Sequence, residues 1–221
     1  SSKFLTEVIE EIIPYKSISI LSGPSFSNEV SQSLPTAVTL ATKNKKDFDI
    51  ISKLIPNKEF RIYYSDDLIG TQIGGALKNI YAIAAGIAEG LNLGENAKSA
   101  LISRSFAEMT RYAKKFKADK NTLFGLSGLG DLILTCSSTN SRNTQFGIKL
   151  ASSKYNNFLD LLQSQEVTEG YYTVKAVYNI SKKKKIDMPI MESVYNILYK
   201  QHDLKVEISN LLNRPLKDEK I

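Results

Sequence analysis

The chain has 221 residues, one cysteine, one histidine and a formal net charge of +6. The single cysteine, Cys136, excludes a disulfide framework within the chain and fits a reducing compartment. The single histidine, His202, excludes multi-histidine metal sites, and we expect no bound metal and a surface position for this residue. The basic excess lies largely in two lysine-rich runs, residues 43–46 and 182–185, without interleaved aromatic residues. This pattern does not favour nucleic-acid binding.

The first third of the chain mixes helix and strand patterns. Residues 5–13 predict an amphipathic helix that contains acids, which is unlike a secretory signal and fits a cytoplasmic protein. Short strands are predicted at residues 17–21, 36–41 and 60–64, with a helix at 46–54. The first strand ends in small polar residues, Ser22 to Ser27, and strand ends of this kind bind ligands in α/β sheets.

After Leu68 the periodicity becomes helical. Apolar residues from 73 to 87 recur at three- and four-residue steps, and a second stripe runs from 102 to 116. Further helices are predicted at residues 158–162, 173–181, 190–199 and 206–212. The sequence therefore predicts an α/β part, residues 1–68, followed by an all-helical domain, residues 69–221. We expect no membrane span, because polar and small residues interrupt the longest apolar run.

Lys78 is the only charged residue between Leu68 and Ala88. On a helix it lies nearly opposite the isoleucine stripe, on a face of small residues that predicts close packing. A helix that is apolar or small all round is normally buried. An enclosed lysine suits proton transfer, although a structural lysine held by a carboxylate fits the pattern equally well.

Two further segments carry candidate chemistry. Asp131 stands between glycines and an apolar run, so we expect it to be partly enclosed, either as a partner of Lys78 or as a helix cap. Residues 137–143 combine hydroxyls and amides with Arg142 just before a helix predicted near Thr144. A helix start and a guanidinium group together suit a phosphate, although a polar surface loop has the same composition. A lysine, an acid and an anion-binding loop indicate a phosphorylated substrate that undergoes proton transfer.

A nucleotide-binding glycine-rich turn is not found in the sequence. Residues 125–130 contain three glycines, but their spacing differs from Gly-x-Gly-x-x-Gly and they follow no strand. The chain also begins without methionine at Ser1. We therefore expect these residues to form part of a longer protein.

Six ordered motifs resemble those of bacterial-type NAD(P)-dependent glycerol-3-phosphate dehydrogenases, and the resemblance covers essentially the whole chain. They are Ser22-Gly23-Pro24-Ser25-Phe26, Leu34-Pro35-Thr36-Ala37, Gly74-Gly75-Ala76-Leu77-Lys78-Asn79, Gly128-Leu129-Gly130-Asp131-Leu132 through Cys136, Ser141-Arg142-Asn143 and Val167-Thr168-Glu169-Gly170. The resemblance implies the α/β remnant of a Rossmann-type nucleotide-binding domain followed by an all-α substrate domain. It also implies interconversion of dihydroxyacetone phosphate and sn-glycerol 3-phosphate with NAD or NADP, a supply step for phospholipid synthesis, and a possible homodimer.

The same resemblance assigns roles to individual residues. Lys78 is implied as the proton donor and acceptor, and Asp131 as the residue that positions substrate and lysine. The implied substrate-binding residues are Gly23, Ser25, Lys78, Asp131, Ser141, Arg142 and Asn143. The implied dinucleotide contacts are Ser27, Arg142, Val167 and Glu169. The family usually has threonine at position 25 and alanine at position 27, and both differences are small.

Two alternatives stay open at this point. One is another β-hydroxyacid dehydrogenase-like enzyme, against which the Ser141-Arg142-Asn143 loop and the adjacent Lys78-Asn79 pair argue. The other is a non-catalytic helical module, which a stop codon upstream of Ser1 in the gene would favour, whereas an upstream Gly-x-Gly-x-x-Gly would favour the enzyme.

Overall fold

A computed structural model describes residues 3–13, 17–55, 58–152, 168–216 and 218–219. The described elements follow in chain order: α1 (Leu5–Ile12), β1 (Ser19–Ser22), α2 (Ser27–Ser31), β2 (Thr36–Thr42), α3 (Lys45–Leu54), β3 (Phe60–Ser65), α4 (Leu68–Gly90), α5 (Glu95–Lys115), α6 (Lys120–Phe124), a π-helical turn (Leu126–Gly130), α7 (Asp131–Ser137), α8 (Arg142–Ala151), α9 (Glu169–Lys184), α10 (Pro189–Lys200) and α11 (Leu204–Leu212). They form two compact units. The first unit comprises Ser1–Gly75 and Ala113–Leu134, and the second comprises Ala76–Tyr112 and Thr135–Ile221.

The sheet of the first unit has the strand order β1-β2-β3. The central strand β2 pairs antiparallel with β1, opposing Ser19 to Thr42, and parallel with β3, opposing Thr36 to Phe60. Most of β2 is buried. Its apolar run with β-branched residues is typical of a strand covered on both faces. The three predicted strands are confirmed, with the first beginning at Ser19 and ending at Ser22.

The long helix α4 confirms the predicted apolar stripe. Ile73, Leu77 and Ile80 are almost completely buried. The Asp67 carboxylate caps its first turn, since Oδ1 accepts a hydrogen bond from the N–H of Gly70 at 2.8 Å. Among the helices that the structure describes, none combines the length and apolar character needed to cross a membrane.

The other predicted helices coincide with α5, α9, α10 and α11, while the one at 158–162 lies outside the described residues. All strands in the described part of the chain precede residue 66, in agreement with an α/β part followed by helices. The position of the domain boundary, near residue 68, stays a prediction.

In the second unit, glycines allow α4 and α8 to approach closely. A Cβ atom on Gly147 would lie 2.2 Å from the carbonyl oxygen of Ile83, and one on Gly86 would lie 2.0 Å from that of Thr144. Neither distance is possible, so both positions need glycine for backbone contact. This packing fixes the start of α8 beside α4.

Glu108 on α5 is a buried carboxylate that caps the start of α10. Its Oε1 accepts the N–H of Ile190 at 2.6 Å, and its Oε2 accepts the N–H of Met191 at 3.1 Å. The Tyr81 hydroxyl on α4 donates to Oε2 at 3.3 Å. Burial raises the pKa of Glu108 to about 7, although the two backbone donors oppose the rise. Glu108 therefore connects three helices of the second unit.

We expect the stability of the protein to respond to Glu108 titration. The pKa of Glu108 rises from 4.5 in the unfolded chain to about 7 in the folded protein. The contribution of protonated Glu108 to the free energy of unfolding is therefore complete below pH 4.5 and is lost as the pH rises through about 7. Wild-type protein should therefore lose stability relative to Glu108→Gln across this window, by up to ~1.4 kcal/mol per pH unit. Urea unfolding at several pH values measures the difference, with the exposed Glu95→Gln as control. Parallel profiles for wild type and Glu108→Gln would contradict the assignment.

Candidate active-site residues

The predicted anion loop forms the start of α8. Ser141 is the N-cap, and its Oγ accepts the backbone N–H of Thr144 at 3.3 Å. The helix therefore begins at Arg142, two residues earlier than predicted. Ser141 and Asn143 are buried, whereas the Arg142 side chain is 81% exposed. The loop thus presents an exposed guanidinium at a helix N-terminus, where backbone donors favour anions.

Buried amides connect this loop to the helix that carries Lys78. The Asn143 Nδ2 donates to Oδ1 of Asn79 at 3.0 Å. The Asn143 Oδ1 accepts the backbone N–H of Gly170 at 2.9 Å, and Asn79 Nδ2 donates to Oε2 of Glu169 at 3.2 Å. We call Asn79, Asn143, Glu169 and Gly170 the amide cluster. It joins α4, α8 and α9 within the second unit.

Two residues of the last motif, Glu169 and Gly170, have structural contacts in the amide cluster. Glu169 forms an ion pair with Arg142, with an Nη2–Oε1 distance of 3.8 Å. A Cβ atom on Gly170 would lie 2.6 Å from the Asn79 carbonyl oxygen, so glycine is required there. Asn79 was not among the predicted site residues. The feature of the sequence that could have identified Asn79 is its position directly after Lys78, the lone charged residue of a buried helix.

Lys78 precedes Asn79 on α4 and is half-buried rather than fully enclosed. The small residues predicted to share its face are mostly packed, since Thr71, Ala82 and Ala85 have no exposed surface. The expectation of a buried helix is therefore confirmed, while the enclosure of the lysine itself is partial. Lys78 is therefore partly open to solvent on a helix whose neighbouring small residues are packed.

Asp131 lies in the first unit and is 2% exposed, which confirms the predicted enclosure. It is the first residue of α7 and follows the π-helical turn directly. Backbone contacts fix this turn, since a Cβ atom on Gly74 would lie 2.0 Å from the Ser127 carbonyl oxygen. Asp131 is therefore a buried acid at a rigid position, and it also stands where a helix favours a negative charge.

The loop after β1 contains the remaining predicted substrate residues. Gly23 has φ of +147°, and a Cβ atom there would lie 3.0 Å from Cα of Val38. The Ser25 hydroxyl donates to the Gly23 carbonyl oxygen at 3.1 Å, which shapes the loop. Ser27 is exposed at the first residue of α2. Val167, a predicted dinucleotide contact, lies outside the described residues.

Within the described ranges, no group of three or more histidine, cysteine, aspartate or glutamate residues has metal-binding geometry. His202 lies at the surface as predicted, with 45% of its side chain exposed, and its Nδ1 lies 2.7 Å from Oε1 of Glu207.

The described residues thus form a small three-stranded sheet with its helices, followed in the chain by helices that carry a lysine, an arginine and buried amides. Two family models match the chain. The NAD-dependent glycerol-3-phosphate dehydrogenase C-terminus matches residues 67–209, and the N-terminus of the same family matches residues 1–48. The chain belongs to the NAD-dependent glycerol-3-phosphate dehydrogenase family, which confirms the resemblance.

Known relatives agree with this membership. A glycerol-3-phosphate dehydrogenase [NAD(P)+] of Francisella tularensis is 43% identical over 219 residues, covering 99% of this chain and 66% of the relative. The crystal structure of a Coxiella burnetii glycerol-3-phosphate dehydrogenase has a TM-score of 0.90 at 38% identity, covering 96% of this chain and 65% of that one. A Plasmodium falciparum glycerol-3-phosphate dehydrogenase structure has a TM-score of 0.86 at 25% identity, covering 98% and 62%. The chain thus spans slightly less than two thirds of the curated relatives' length.

Proposed function

We propose that the full-length protein interconverts dihydroxyacetone phosphate and sn-glycerol 3-phosphate with NAD(H) or NADP(H), and so supplies glycerol 3-phosphate for phospholipid synthesis. Family membership supports the reaction. The observation that carries the proposal is the amide cluster, which holds the start of α8, and with it the backbone of Arg142, in the same unit as Lys78. The reaction of this substrate requires one group that binds the phosphate and one group that transfers a proton.

The substrate phosphate is assigned to the start of α8. Backbone N–H groups of the first helical turn and the five donors of the Arg142 guanidinium favour a dianion there. Ser141 and Asn143 are assigned to the substrate as well, and their burial keeps their polar groups oriented. Gly23, Ser25 and Asp131 complete the assignment on the basis of the family resemblance.

Lys78 is assigned the proton transfer. Hydride addition to the C2 carbonyl carbon moves the carbonyl electron pair onto oxygen, which becomes an alkoxide. The Lys78 ammonium group stabilises that charge and donates its proton to the oxygen, and the neutral amine accepts the proton in the reverse direction. Bound NADH or NADPH supplies the hydride.

The residues assigned to the dinucleotide fit that role where the structure describes them. Arg142 and Glu169 have side chains 81% and 70% exposed, so a cation and an anion are open to a phosphate and to ribose hydroxyls. Ser27 is exposed on α2. The proposal includes a cytoplasmic location and a homodimer; the single cysteine, Cys136, is buried and fits a reducing compartment.

We expect the full-length protein to oxidise NADH or NADPH in the presence of dihydroxyacetone phosphate. A polypeptide of only these 221 residues should bind either cofactor poorly and show no turnover, because the glycine-rich loop at a helix N-terminus carries much of the affinity. Absorbance assays and calorimetric titrations test both statements. Micromolar cofactor binding by the 221-residue polypeptide would contradict the second, and a full-length protein inactive on this substrate would overturn the proposed function.

A further inference from the structure

The faces of α9 and α10 meet along a seam of stacked aromatic rings in the second unit. The rings of Tyr178 and Tyr195 stack with centroids 3.7 Å apart and planes 5° from parallel. Tyr199 stacks on Tyr195 at 5.1 Å and on Tyr171 at 4.8 Å. We call these four residues the tyrosine seam.

Lysine side chains cover the tyrosine seam. Lys175 Nζ lies 5.4 Å from the Tyr199 ring centroid, and Lys182 Nζ lies 5.3 Å from that of Tyr178. Lys200 Nζ lies 5.7 Å from the same Tyr178 ring. Tyrosine and lysine side chains therefore alternate on this surface, although the lysine runs in the sequence contain no aromatic residues. Glu192 forms an ion pair with Lys182.

The geometry of the tyrosine seam selects the chemistry of its partner. Because the rings stack on one another, few ring faces are open to nucleobases. The rings are half-buried rather than protruding, so they are poor anchors for a bilayer. Lys175 and Lys200 are exposed, and about half of the Lys182 side chain is exposed; their ammonium groups suit carboxylates. Tyr172, which is 67% exposed and meets Tyr171 edge-on, adds an aromatic contact at one end.

We propose that the tyrosine seam docks an acidic peptide segment of another protein. The lysines supply charge complementarity and Tyr172 supplies an anchor of the type enriched at protein interfaces. The contacts are exposed, so the interaction is weak, sensitive to salt and independent of the dehydrogenase reaction.

Fluorescence anisotropy with a short labelled oligoglutamate peptide tests the proposal on the full-length protein. The triple substitution Lys175→Ala, Lys182→Ala and Lys200→Ala should weaken binding by about tenfold or more. A matched triple substitution of exposed lysines in the first unit, Lys43→Ala, Lys46→Ala and Lys53→Ala, removes the same charge and should leave binding unchanged. Added salt should weaken the wild-type interaction.

Several results would overturn the proposal. These are no binding of oligoglutamate, an equal loss in both triple variants, or tighter binding of oligouridylate or phosphatidylglycerol vesicles than of oligoglutamate. A change in sedimentation mass in the seam variant would assign the surface to a second copy of the chain instead. Lys175→Glu serves as a single-site check if the triple variant loses its circular dichroism. Dehydrogenase activity reports the proposed function separately, since none of these lysines belongs to it.

Discussion

In the full-length protein, we expect Arg142→Ala to lower kcat/KM for dihydroxyacetone phosphate by roughly two orders of magnitude, or about 3 kcal/mol. The guanidinium is exposed at the N-terminus of α8, where its fork can pair with a phosphate dianion. Alanine removes both the charge and the paired hydrogen bonds. Unphosphorylated dihydroxyacetone lacks the group that Arg142 binds, so kcat/KM for this substrate should barely change.

Steady-state kinetics on the two substrates separate phosphate binding from other roles of Arg142. Arg104→Ala is the matched control, because Arg104 is another partly exposed arginine of the second unit in an ion pair, with Glu219 at 3.7 Å. It should leave both kcat/KM values unchanged. An equal loss on both substrates in Arg142→Ala would assign the residue to the cofactor or to the fold.

The parts of the fold with strong local periodicity were predictable from the sequence. The continuous apolar run of β2 predicts a strand buried on both faces. The stripe along α4 predicts a helix, because burial of one helix face imposes a repeat of three to four residues. The start of α8 was predicted less accurately, at Thr144. The Ser141 hydroxyl that caps it is one of several hydroxyls in residues 137–143, and local sequence does not distinguish among them.

The contacts of the amide cluster were not predictable from local patterns. Asn79 and Asn143 are 64 residues apart, and their hydrogen bond depends on the glycine contact between α4 and α8. Glu169 has no periodic or capping signature, and its partner Arg142 was assigned to phosphate from composition alone. Lys78 was found because an isolated charge in an uncharged helix is conspicuous in any sequence. Its partial exposure depends on tertiary packing that no pattern records.

The largest effect is expected for Lys78→Ala, which should lower kcat by about 10³-fold or more while leaving cofactor affinity nearly unchanged. The alkoxide formed on hydride addition is a strong base, and an ammonium group within hydrogen-bond distance supplies both its proton and charge stabilisation. Each of these effects is worth on the order of 10²–10⁴-fold. Lys78→Arg should be almost as inactive, because a guanidinium retains its proton and projects further.

A purely structural role of Lys78 predicts a different result, namely a lower melting temperature with activity retained in the folded fraction. Since Lys78 is half-buried, its truncation leaves the buried residues of α4 in place, and we expect little change in melting temperature. Lys98→Ala is the matched control, because Lys98 is also half-buried and pairs with Glu89 at 2.8 Å; it should affect stability rather than kcat. Measuring kcat, nicotinamide binding and melting temperature on one preparation of each variant distinguishes the two roles. If Lys78→Ala retains more than about a tenth of the wild-type kcat, proton transfer by Lys78 is wrong whatever the family membership implies.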